Sequence, residues 1–474
     1  MLRRLLVVGA GGLCIALPAS AHADSRPSFT VPGQMRLIAY YPASNGWTYM
    51  WTHWNPAEID RDFGLAAELH GNTVRIFVQP VAFGWPHPTA QAAAKLDTVF
   101  ALAAKHGLTL ELTLFDWWFD WKDVAGSETW VHSLLAPYAH DPRLAAVELR
   151  NELDPGDLAA AAWARTMIPY LHTILPGVPV TLSVSANDPV NKLTTLSHEL
   201  APVAPDFWSF HYYDKAEYAY WTLQAARAAV APVPLVLGET GYQPGTSSPP
   251  ARGTADVAAE EMRYFRTIMN ATALLGMPPA GIWVLLDFTH AASPNRMPAV
   301  EYTYGLFHTD GTPKPSAAPV AAAFANPGRV DANFDGDFEQ PGLSTWRAHG
   351  SGVATRDTLV VHQGTGSAEL AGAGSLTTIP PDPWVTAGQK LTLTAWARGL
   401  SATGTTQVAI RWFTADRTLL AESGSQPLPP GSSDWTQLTA TGTTPFGAAF
   451  VELVLSTAGN SGSARIDDVT LAAG

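Results

Sequence analysis

The chain has 474 residues, a formal net charge of −13 and a single cysteine, Cys14. An acidic chain without a run of basic residues does not complement a phosphate backbone, so nucleic acid is not an expected partner. One cysteine excludes an intrachain disulfide and a cysteine-rich zinc site, so stability must come from large hydrophobic cores. The length fits two or three domains.

The first residues predict an export signal. Residues 1–4 include two arginines, residues 5–17 are apolar, and residues 21–23 are Ala-His-Ala. This order matches a signal peptide that spans residues 1–23, and its apolar run is shorter than a bilayer-spanning helix. We therefore expect a secreted, extracellular protein with no membrane anchor, whose mature chain has no cysteine nucleophile.

Residues 24–328 alternate short apolar runs with amphipathic, alanine-rich stretches. The strand-like runs lie at 35–41, 73–78, 108–115, 145–149, 178–184, 207–211, 235–238 and 281–286. Apolar residues at helical spacing predict helices at 57–69, 90–106, 158–175 and 257–275. Eight consecutive strand–helix units predict an α/β fold, the (β/α)8 TIM barrel. An open doubly wound sheet is the alternative, but no glycine-rich phosphate-binding turn follows the first run.

Residues 329–474 have a different pattern. Short runs of alternating polarity, at 391–397, 407–412, 448–455 and 464–471, are separated by Gly, Ser, Thr and Pro clusters. This pattern predicts an all-β sandwich after the barrel. Trp412 is in phase with apolar neighbours and is expected in its core, whereas Trp396 shares a face with threonines and is a candidate sugar platform.

Two glutamates close predicted barrel strands. Glu152 follows the fourth strand and Glu239 the seventh, so both belong to the carboxyl-terminal face where TIM barrels build their active sites. Glycosidic bond cleavage requires one carboxyl group to protonate the leaving oxygen and a second to stabilise or attack the anomeric carbon. The pair therefore predicts a β-glycosidase, and a separation of about 5–5.5 Å would predict retention of configuration.

The neighbours of this pair predict how two like groups acquire different roles. Arg75 at strand two and the hydroxyl of Tyr213 after strand six favour an ionised Glu239. The charge of Glu239 is then expected to raise the pKa of Glu152, which arrives protonated as the acid. Once a sugar ester forms on Glu239, Glu152 is expected to act as the base for water.

The strand-end motifs resemble those of clan A glycoside hydrolases, most closely family 5, over nearly the whole barrel. The resemblance rests on Asn72-Thr73-Val74-Arg75, Asn151-Glu152, His211-Tyr212-Tyr213, Gly238-Glu239 and Trp283. It implies that Glu152 is the acid/base and Glu239 the nucleophile.

The same resemblance implies roles for the surrounding residues. Asn151 is expected to donate to the sugar 2-hydroxyl, and Arg75 to support the nucleophile. His211 and Tyr213 are expected to contact the substrate and the nucleophile. Trp283 is expected to form the floor of the reactive subsite, often with a non-proline cis peptide after it.

One position departs from the family pattern. Strand three ends in Asp116-Trp117, where family 5 usually has a histidine. Both residues are candidates for substrate binding, and we expect recognition of the reactive sugar to differ from that of the family.

The ends of the second domain resemble carbohydrate-binding modules with a jelly-roll, galactose-binding-like fold. The resemblance rests on residues 333–339 and 466–469. It implies a structural calcium with Glu339 and Asp467 or Asp468 as ligands, since calcium prefers oxygen-rich sites. The alternative is that these acids cap turns. The barrel chemistry itself is expected to need no cofactor or metal.

The sequence thus predicts a hydrolase of a β-linked polysaccharide or oligosaccharide, with carbohydrate as its partner. Two alternatives remain open. A transglycosylase would use the same carboxylates and differ in how it binds the acceptor sugar. A non-catalytic sugar-binding protein could retain the barrel, although intact Glu152 and Glu239 argue against it.

Overall fold

The computed structural model describes residues 33–243, 254–293, 297–330, 335–339, 343, 346–378, 385–414 and 417–473. The predicted signal peptide, residues 1–23, lies outside the described residues. The described strands form one parallel sheet followed by two antiparallel sheets.

The parallel sheet is a closed barrel. Its strands neighbour one another in chain order and comprise β1 Leu37–Ala39, β2 Thr73–Val78, β3 Thr109–Leu114, β4 Leu144–Glu148, β5 Val180–Val184, β6 Phe207–Tyr212 and β7 Leu235–Thr240. Ile282 closes the ring, because it forms parallel bridges to Ile38 on β1 and to Thr240 on β7. The predicted TIM barrel is confirmed.

The closing segment is shorter than the predicted strand 281–286. Its bridges to β1 and β7 are at Ile282, and the N–H of Leu285 also donates to the carbonyl of Ala39 on β1 at 3.2 Å, whereas Leu286 pairs with Phe307. The seam with β7 is tight, since a Cβ atom on Gly281 would lie 2.3 Å from the carbonyl oxygen of Gly238. Only glycine allows the two backbones to approach this closely.

Helices surround the barrel. They are α1 Tyr49–Thr52, α2 Pro56–Glu68, α3 Pro80–Phe83, α4 Ala90–Lys105, α5 Val124–Leu135, α6 Leu158–Ile174, α7 Pro189–Leu200, α8 Ala219–Val230, α9 Thr254–Leu274 and α10 Ala317–Ala325, with 3₁₀ turns at Ala136–Tyr138, Ala216–Tyr218 and Ala299–Thr303. Side chains cap the starts of two long helices: Thr89 accepts from the backbone of α4, and Asp157 from that of α6. The four helices predicted from the sequence are confirmed.

The second region is a β-sandwich of two five-stranded antiparallel sheets, ordered β15-β12-β17-β10-β9 and β14-β13-β16-β11-β8. The strands are β8 Trp346–Gly350, β9 Val353–Asp357, β10 Ser367–Ala371, β11 Gly374–Thr378, β12 Lys390–Leu400, β13 Thr405–Phe413, β14 Leu419–Gly424, β15 Thr436–Thr443, β16 Phe450–Ala458 and β17 Ser463–Ala473. Every second residue of β12 is buried, which is the alternation that predicted it. Trp412 is buried in the core, as expected.

The barrel and the sandwich are in contact. The hydroxyl groups of Tyr220 on α8 and Thr386 before β12 form a hydrogen bond. Buried apolar side chains of both regions belong to one continuous cluster. Within the described ranges, none of the helices combines the length and apolarity needed to cross a bilayer.

Candidate active site

A cleft of about 600 Å³ opens where the carboxyl ends of the barrel strands meet. Most of the residues predicted for the site line it, namely Asp116, Trp117, Asn151, Glu152, Tyr213, Glu239 and Trp283. Arg75 and His211 are fully buried and reach the cleft through the carboxylates that they contact. A cleft of this volume accommodates a ligand the size of a short oligosaccharide.

Glu152 and Glu239 approach each other in this cleft. A carboxylate oxygen of each and a ring nitrogen of His211 all lie within 4.8 Å of one another. The side chain of Glu239 is 8% exposed, whereas that of Glu152 is 35% exposed. Glu152 is therefore the more accessible of the two carboxylates to solvent and to a leaving group.

The backbone of Glu152 adopts a conformation that is rare for residues other than glycine. Its φ is 50°, in the left-handed region, in the turn that follows β4. The backbone N–H donates to Ser183 Oγ on β5 at 2.8 Å, which anchors the turn to the neighbouring strand. Such conformations cost free energy and persist where surrounding contacts hold them, often at functional sites.

Both oxygens of Glu239 accept hydrogen bonds. Tyr213 donates its hydroxyl to Oε1 at 2.8 Å, and Arg75 donates from Nη1 to Oε2. The two donors come from β2 and from the residue after β6, so they hold the carboxylate in one orientation. A nucleophile requires this kind of fixed orientation.

Arg75 is itself fixed by a buried network. Its Nε and Nη2 donate to Glu148 Oε2 at 2.9 and 2.6 Å, and Nη2 also donates to Asn151 Oδ1 at 2.7 Å. Thr113 Oγ1 accepts from Nε at 3.0 Å. Because these partners occupy the other side of the planar guanidinium, Nη1 is left to face Glu239.

A further carboxyl group, Glu111 on β3, lies beside this network. It is 1% exposed, and its Oε1 lies 3.7 Å from Arg75 Nε. Burial and the charge of Glu148 raise the pKa of Glu111 to about 8. Glu111 is therefore largely protonated at neutral pH, so the charge of Arg75 acts on Glu148 and Glu239.

The proton balance around Glu152 differs from the expectation. Burial alone would raise the pKa of Glu152, but a 3.0 Å hydrogen bond to His211 Nδ1 and the imidazolium charge outweigh burial and lower it. Burial alone would lower the pKa of His211, but the charges of Glu239 and Glu152 outweigh burial and raise it. The expected rise in the pKa of Glu152 is therefore wrong for the free protein, because the contact with His211 outweighs burial.

The two carboxylates and the imidazole are also close enough to ligate a cation. However, Arg75 already places a guanidinium on Glu239, and His211 Nδ1 lies 3.0 Å from Glu152 and 3.5 Å from Glu239. Both carboxylates thus already have nitrogen partners from the protein itself. The expectation that catalysis needs no metal stays a prediction.

Asp116-Trp117, which replaces the usual family 5 histidine after strand three, places a buried acid beside exposed aromatic rings. Asp116 is buried, which raises its pKa to about 6, and its Oδ1 lies 3.7 Å from Arg150 Nη1. Trp117 is 57% exposed and Phe119 is 70% exposed, and both line the cleft. The guanidinium of Arg150 lies 5.4 Å from the ring centroid of Phe119. We call Trp117, Phe119 and Arg150 the β3–β4 wall.

Trp283 lines the cleft directly after the barrel seam. Its peptide bond to Val284 is cis, as the family resemblance implies. The indole packs edge-on against Tyr41 and Phe77, with centroid distances of 6.2 and 5.7 Å. Its Nε1 donates to Glu301 Oε2 at 3.3 Å. These contacts fix the position of the indole.

Sequence reasoning missed Glu111, Glu148, Arg150 and Glu301. A signal existed for the first two, since each is an acid within a predicted barrel strand, and a buried acid requires a cationic or hydrogen-bonding partner. Arg150 directly precedes a motif that was recognised. Glu301 lies in a connection with no periodic pattern, so nothing in the sequence indicated that it reaches the cleft.

In the sandwich, the ring of His362 covers one side of Trp396. The two rings stack with centroids 4.3 Å apart and an interplanar angle of 15°. Trp435 lies edge-on to the same imidazole at 5.4 Å. The role of Trp396 as a sugar platform stays a prediction, and a sugar there would meet the ring surface that His362 leaves uncovered.

The acids predicted to bind calcium already accept protein hydrogen bonds. Glu339 accepts from the backbone of Thr365 at 2.6 Å, and Asp467 from that of His362 at 2.8 Å. Asp468 Oδ2 lies 2.5 Å from His362 Nδ1. These contacts close loops of the sandwich, which matches the alternative that the acids cap turns. The calcium site stays a prediction.

No protein-family model and no curated protein matches the chain. Solved structures match its fold. A GH5_18 protein from Bifidobacterium longum subsp. longum, in complex with Manβ1-4GlcNAc, matches with a TM-score of 0.50 and 18% identity, over 62% of this chain and 78% of that chain. A GH5_18 protein from Streptomyces cattleya, also in complex with Manβ1-4GlcNAc, has a TM-score of 0.49 and 19% identity, over 61% and 80%.

A third match is the exo-β-1,4-mannosidase Op5Man5 from Opitutaceae bacterium strain TAV5, with a TM-score of 0.49 and 21% identity, over 61% of this chain and 58% of that chain. At these identities the likeness concerns the fold. The barrel therefore shares its fold with the GH5_18 structure from Bifidobacterium longum subsp. longum.

Proposed function

We propose that the chain is a retaining β-glycosidase with Glu239 as nucleophile and Glu152 as acid/base. The observation that carries the proposal is the approach of the two carboxylates to within 4.8 Å, measured between oxygens. Retaining enzymes keep their carboxyl groups about 5–5.5 Å apart, whereas inverting enzymes leave about 6.5–9.5 Å for an intervening water. The short separation therefore favours direct attack by a carboxylate.

In the first half-reaction, Glu239 attacks the anomeric carbon while the bond from that carbon to the leaving oxygen breaks. Glu152 gives a proton to the leaving oxygen. In the free protein that proton is held mainly by His211, 3.0 Å from Glu152 Oε1, and it moves to Glu152 as the glycosidic oxygen arrives to accept it. Arg75 and Tyr213 hold Glu239 in line for the attack.

In the second half-reaction, water replaces the leaving group. Ester formation removes the negative charge of Glu239, and Glu152 has lost its proton, so Glu152 can accept a proton from water. The hydroxide equivalent attacks the anomeric carbon, and the ester bond to Glu239 breaks. The first-formed product therefore keeps the β configuration.

The positions of Glu152 and Trp283 indicate which side of the cleft holds the leaving group and which side holds the reactive sugar. Glu152 follows β4, so the oxygen that it protonates, and the leaving group attached to that oxygen, belong beside the β3–β4 wall. Trp283 follows the seam between β7 and β1, on the other side of the barrel. The reactive sugar then occupies the side of Trp283, where the indole provides an apolar surface for sugar C–H groups.

The first substrate to test is a β-mannoside. The GH5_18 structure from Bifidobacterium longum contains Manβ1-4GlcNAc, which makes this sugar a reasonable starting point for a chain with the same barrel fold. The screen should add the 4-nitrophenyl β-glucoside, β-galactoside and β-xyloside and the polymers β-mannan, β-glucan, β-galactan and xylan.

The mechanism is tested by NMR spectroscopy of the first product and by covalent trapping. We expect the β-anomer to appear first and to mutarotate later. The 2-deoxy-2-fluoro derivative of the hydrolysed sugar should label Glu239, as mapped by peptide mass spectrometry, and Glu239→Gln should remain unlabelled. An α-anomer as the first product, or a label on another residue, would contradict the proposal.

The transglycosylase alternative uses the same first half-reaction and differs in the acceptor. The exposed aromatic rings of the β3–β4 wall suit a second sugar as well as a leaving group. Product analysis with excess acceptor sugar separates the two activities. Unchanged hydrolysis by Glu239→Ala would instead favour a non-catalytic barrel.

Export and the division of the chain complete the proposal. We propose secretion after removal of residues 1–23, a catalytic region at 24–328 and a carbohydrate-binding-like module at 329–474. The signal-like pattern at the start of the chain supports the first of these. N-terminal sequencing of protein recovered from the culture medium tests it.

A further inference from the structure

Glu301 is a third carboxyl group in the cleft that the mechanism above does not use. It belongs to the 3₁₀ turn Ala299–Thr303 and lines the cleft together with Glu152 and Glu239. No lysine, arginine or histidine of the described chain forms an ion pair with it. Among the described residues, no cationic side chain thus accounts for this carboxyl group as half of a salt bridge.

The two oxygens of Glu301 are in different situations. Oε2 accepts the hydrogen bond from Trp283 Nε1 at 3.3 Å, so the carboxyl group is tied to the indole edge. Oε1 has no hydrogen-bond partner among the residues that the structure describes. Glu301 is partly exposed and lines the cleft, so a ligand hydroxyl in the cleft can form a hydrogen bond with Oε1.

Protonation makes Glu301 a versatile partner. Burial, together with the charges of Glu239 and Glu152, raises its pKa to about 7. The phenol groups of Tyr213 and Tyr304 also face it and remain neutral, because burial raises the pKa of each. At neutral pH Glu301 can thus accept a hydrogen bond as a carboxylate or donate one as an acid.

We propose that Glu301 is a specificity-determining residue that hydrogen-bonds, through Oε1, a hydroxyl group of the sugar in the reactive subsite. A sugar placed against the Trp283 indole has its hydroxyl edge beside the ring that Oε2 already contacts. The inference rests on the proposed glycosidase function, which places the reactive sugar at Trp283.

The position of the contact can be narrowed further. Asn151 is expected to bind the 2-hydroxyl, and the bond at carbon 1 points to Glu152 and the β3–β4 wall. Glu301 is on the side of Trp283, away from that wall. Its partner is therefore the hydroxyl at carbon 3, 4 or 6 of the same sugar.

The experiment compares the sugar that the wild type hydrolyses best with its 3-deoxy, 4-deoxy and 6-deoxy aryl glycosides. We expect Glu301→Ala to lower kcat/KM on the parent glycoside by roughly ten- to a hundredfold, as for loss of a hydrogen bond to a charged group. One of the deoxy glycosides lacks the hydroxyl that Glu301 binds. On that glycoside the wild type should already have a reduced kcat/KM, and Glu301→Ala should lower it little further. Glu301→Gln keeps an acceptor for Trp283 and should lose less than Glu301→Ala.

The matched control is Thr303→Ala, an exposed position in the same 3₁₀ turn. It should leave kcat/KM within twofold on all four glycosides, a range expected for a surface change. If Glu301→Ala costs the same factor on the parent and on every deoxy glycoside, the residue only supports Trp283, and the proposal is overturned. If the wild type hydrolyses none of the screened glycosides, the glycosidase function fails first, which is a separate result.

Discussion

His211 Nδ1 lies 3.0 Å from Glu152 Oε1 and 3.5 Å from Glu239 Oε1, so one ring nitrogen serves both catalytic candidates. The ring is completely buried, and its charge is stabilised by the two carboxylates rather than by water. A proton held at this position is attracted to both groups. It can be delivered to Glu152 without passing through solvent.

This geometry predicts the pH dependence of the first half-reaction. The site works only while the His211–Glu152 pair holds its proton, and the pKa of His211 is raised above its ordinary value of 6.5. We expect kcat/KM to be retained below that raised pKa and to fall as the pH rises through it. In His211→Gln the proton must reside on a carboxyl group instead, and the fall should move to lower pH. An unchanged basic limb in the pH profile of kcat/KM would contradict the role of His211.

Glu152→Ala should slow hydrolysis most for substrates whose leaving group must be protonated as it departs. Poor leaving groups, such as a sugar, should lose roughly a hundred- to ten-thousandfold in kcat/KM, whereas a dinitrophenolate should lose little. The ratio of kcat/KM values across an aryl glycoside series measures this dependence. Equal losses across the series would argue against proton donation by Glu152.

Trp117→Ala should affect the leaving-group side of the cleft selectively. We expect kcat/KM for a disaccharide to fall roughly two- to tenfold, because a ring contact to the departing sugar is lost. The matching glycosyl fluoride has no sugar leaving group and should be hydrolysed at the wild-type rate. Phe446→Ala, which removes a ring that is 95% exposed on the sandwich, is the control. Slower hydrolysis of the fluoride would instead place Trp117 against the reactive sugar.

Arg75→Lys should impair the chemical step while the barrel stays folded. Lysine keeps the charge but cannot bond Glu148, Asn151 and Glu239 in one planar fork. We expect kcat to fall on the order of a hundredfold, as when one fixed donor at a reacting group is lost. Arg143→Lys, at the surface pair with Asp141, is the control. Wild-type kcat in Arg75→Lys, with intact circular dichroism, would show that the fork is dispensable.

The raised pKa of Glu111 predicts that the free energy of unfolding depends on pH. Its pKa is about 8 in the fold and 4.5 as its ordinary value. The contribution of Glu111 to stability is therefore fully present below pH 4.5 and is lost as the pH rises through about 8. The wild type should therefore lose unfolding free energy between pH 4.5 and about pH 8. In Glu111→Gln this loss should be smaller by a few kcal/mol, at ~1.4 kcal/mol per pKa unit.

Urea unfolding at the two ends of this pH range measures the effect of Glu111→Gln. The exposed Glu68 offers a matched substitution, Glu68→Gln, which should leave the dependence as in the wild type. A Glu111→Gln protein whose unfolding free energy declines with pH as steeply as that of the wild type would contradict the assignment.

The elements with strong periodic signals could be predicted from the sequence. The strands that carry or precede Arg75, Glu152 and Glu239 are short apolar runs flanked by amphipathic helices, and the barrel topology then brings these residues together. What could not be predicted depends on distances between side chains. The hydrogen bond from His211 reverses the expected shift in the pKa of Glu152, and the stacked ring of His362 covers part of Trp396.

The paths of loops are the second feature that could not be predicted from the sequence. Glu301 is remote from any strand end and reaches the cleft only through the path of the chain after the seam. The eighth strand shows the same effect, because its predicted apolar run continues to Leu286, and Leu286 pairs with Phe307 and not with a barrel strand. The periodicity of a sequence shows which residues are apolar, but it does not determine which backbone segment they pair with.

The seam at Ile282 has a consequence for thermal behaviour. The residue that joins the last strand to the first is followed immediately by Trp283, and Trp283 holds Glu301. Backbone hydrogen bonds join this segment to both neighbours, among them Ala39 N–H to Ile282 O and Trp283 N–H to Thr240 O, each at 2.9 Å. Local opening of these bonds would displace Trp283 and Glu301 from the cleft while the other strand pairs stay intact. Heat inactivation should therefore begin before the loss of helical circular dichroism.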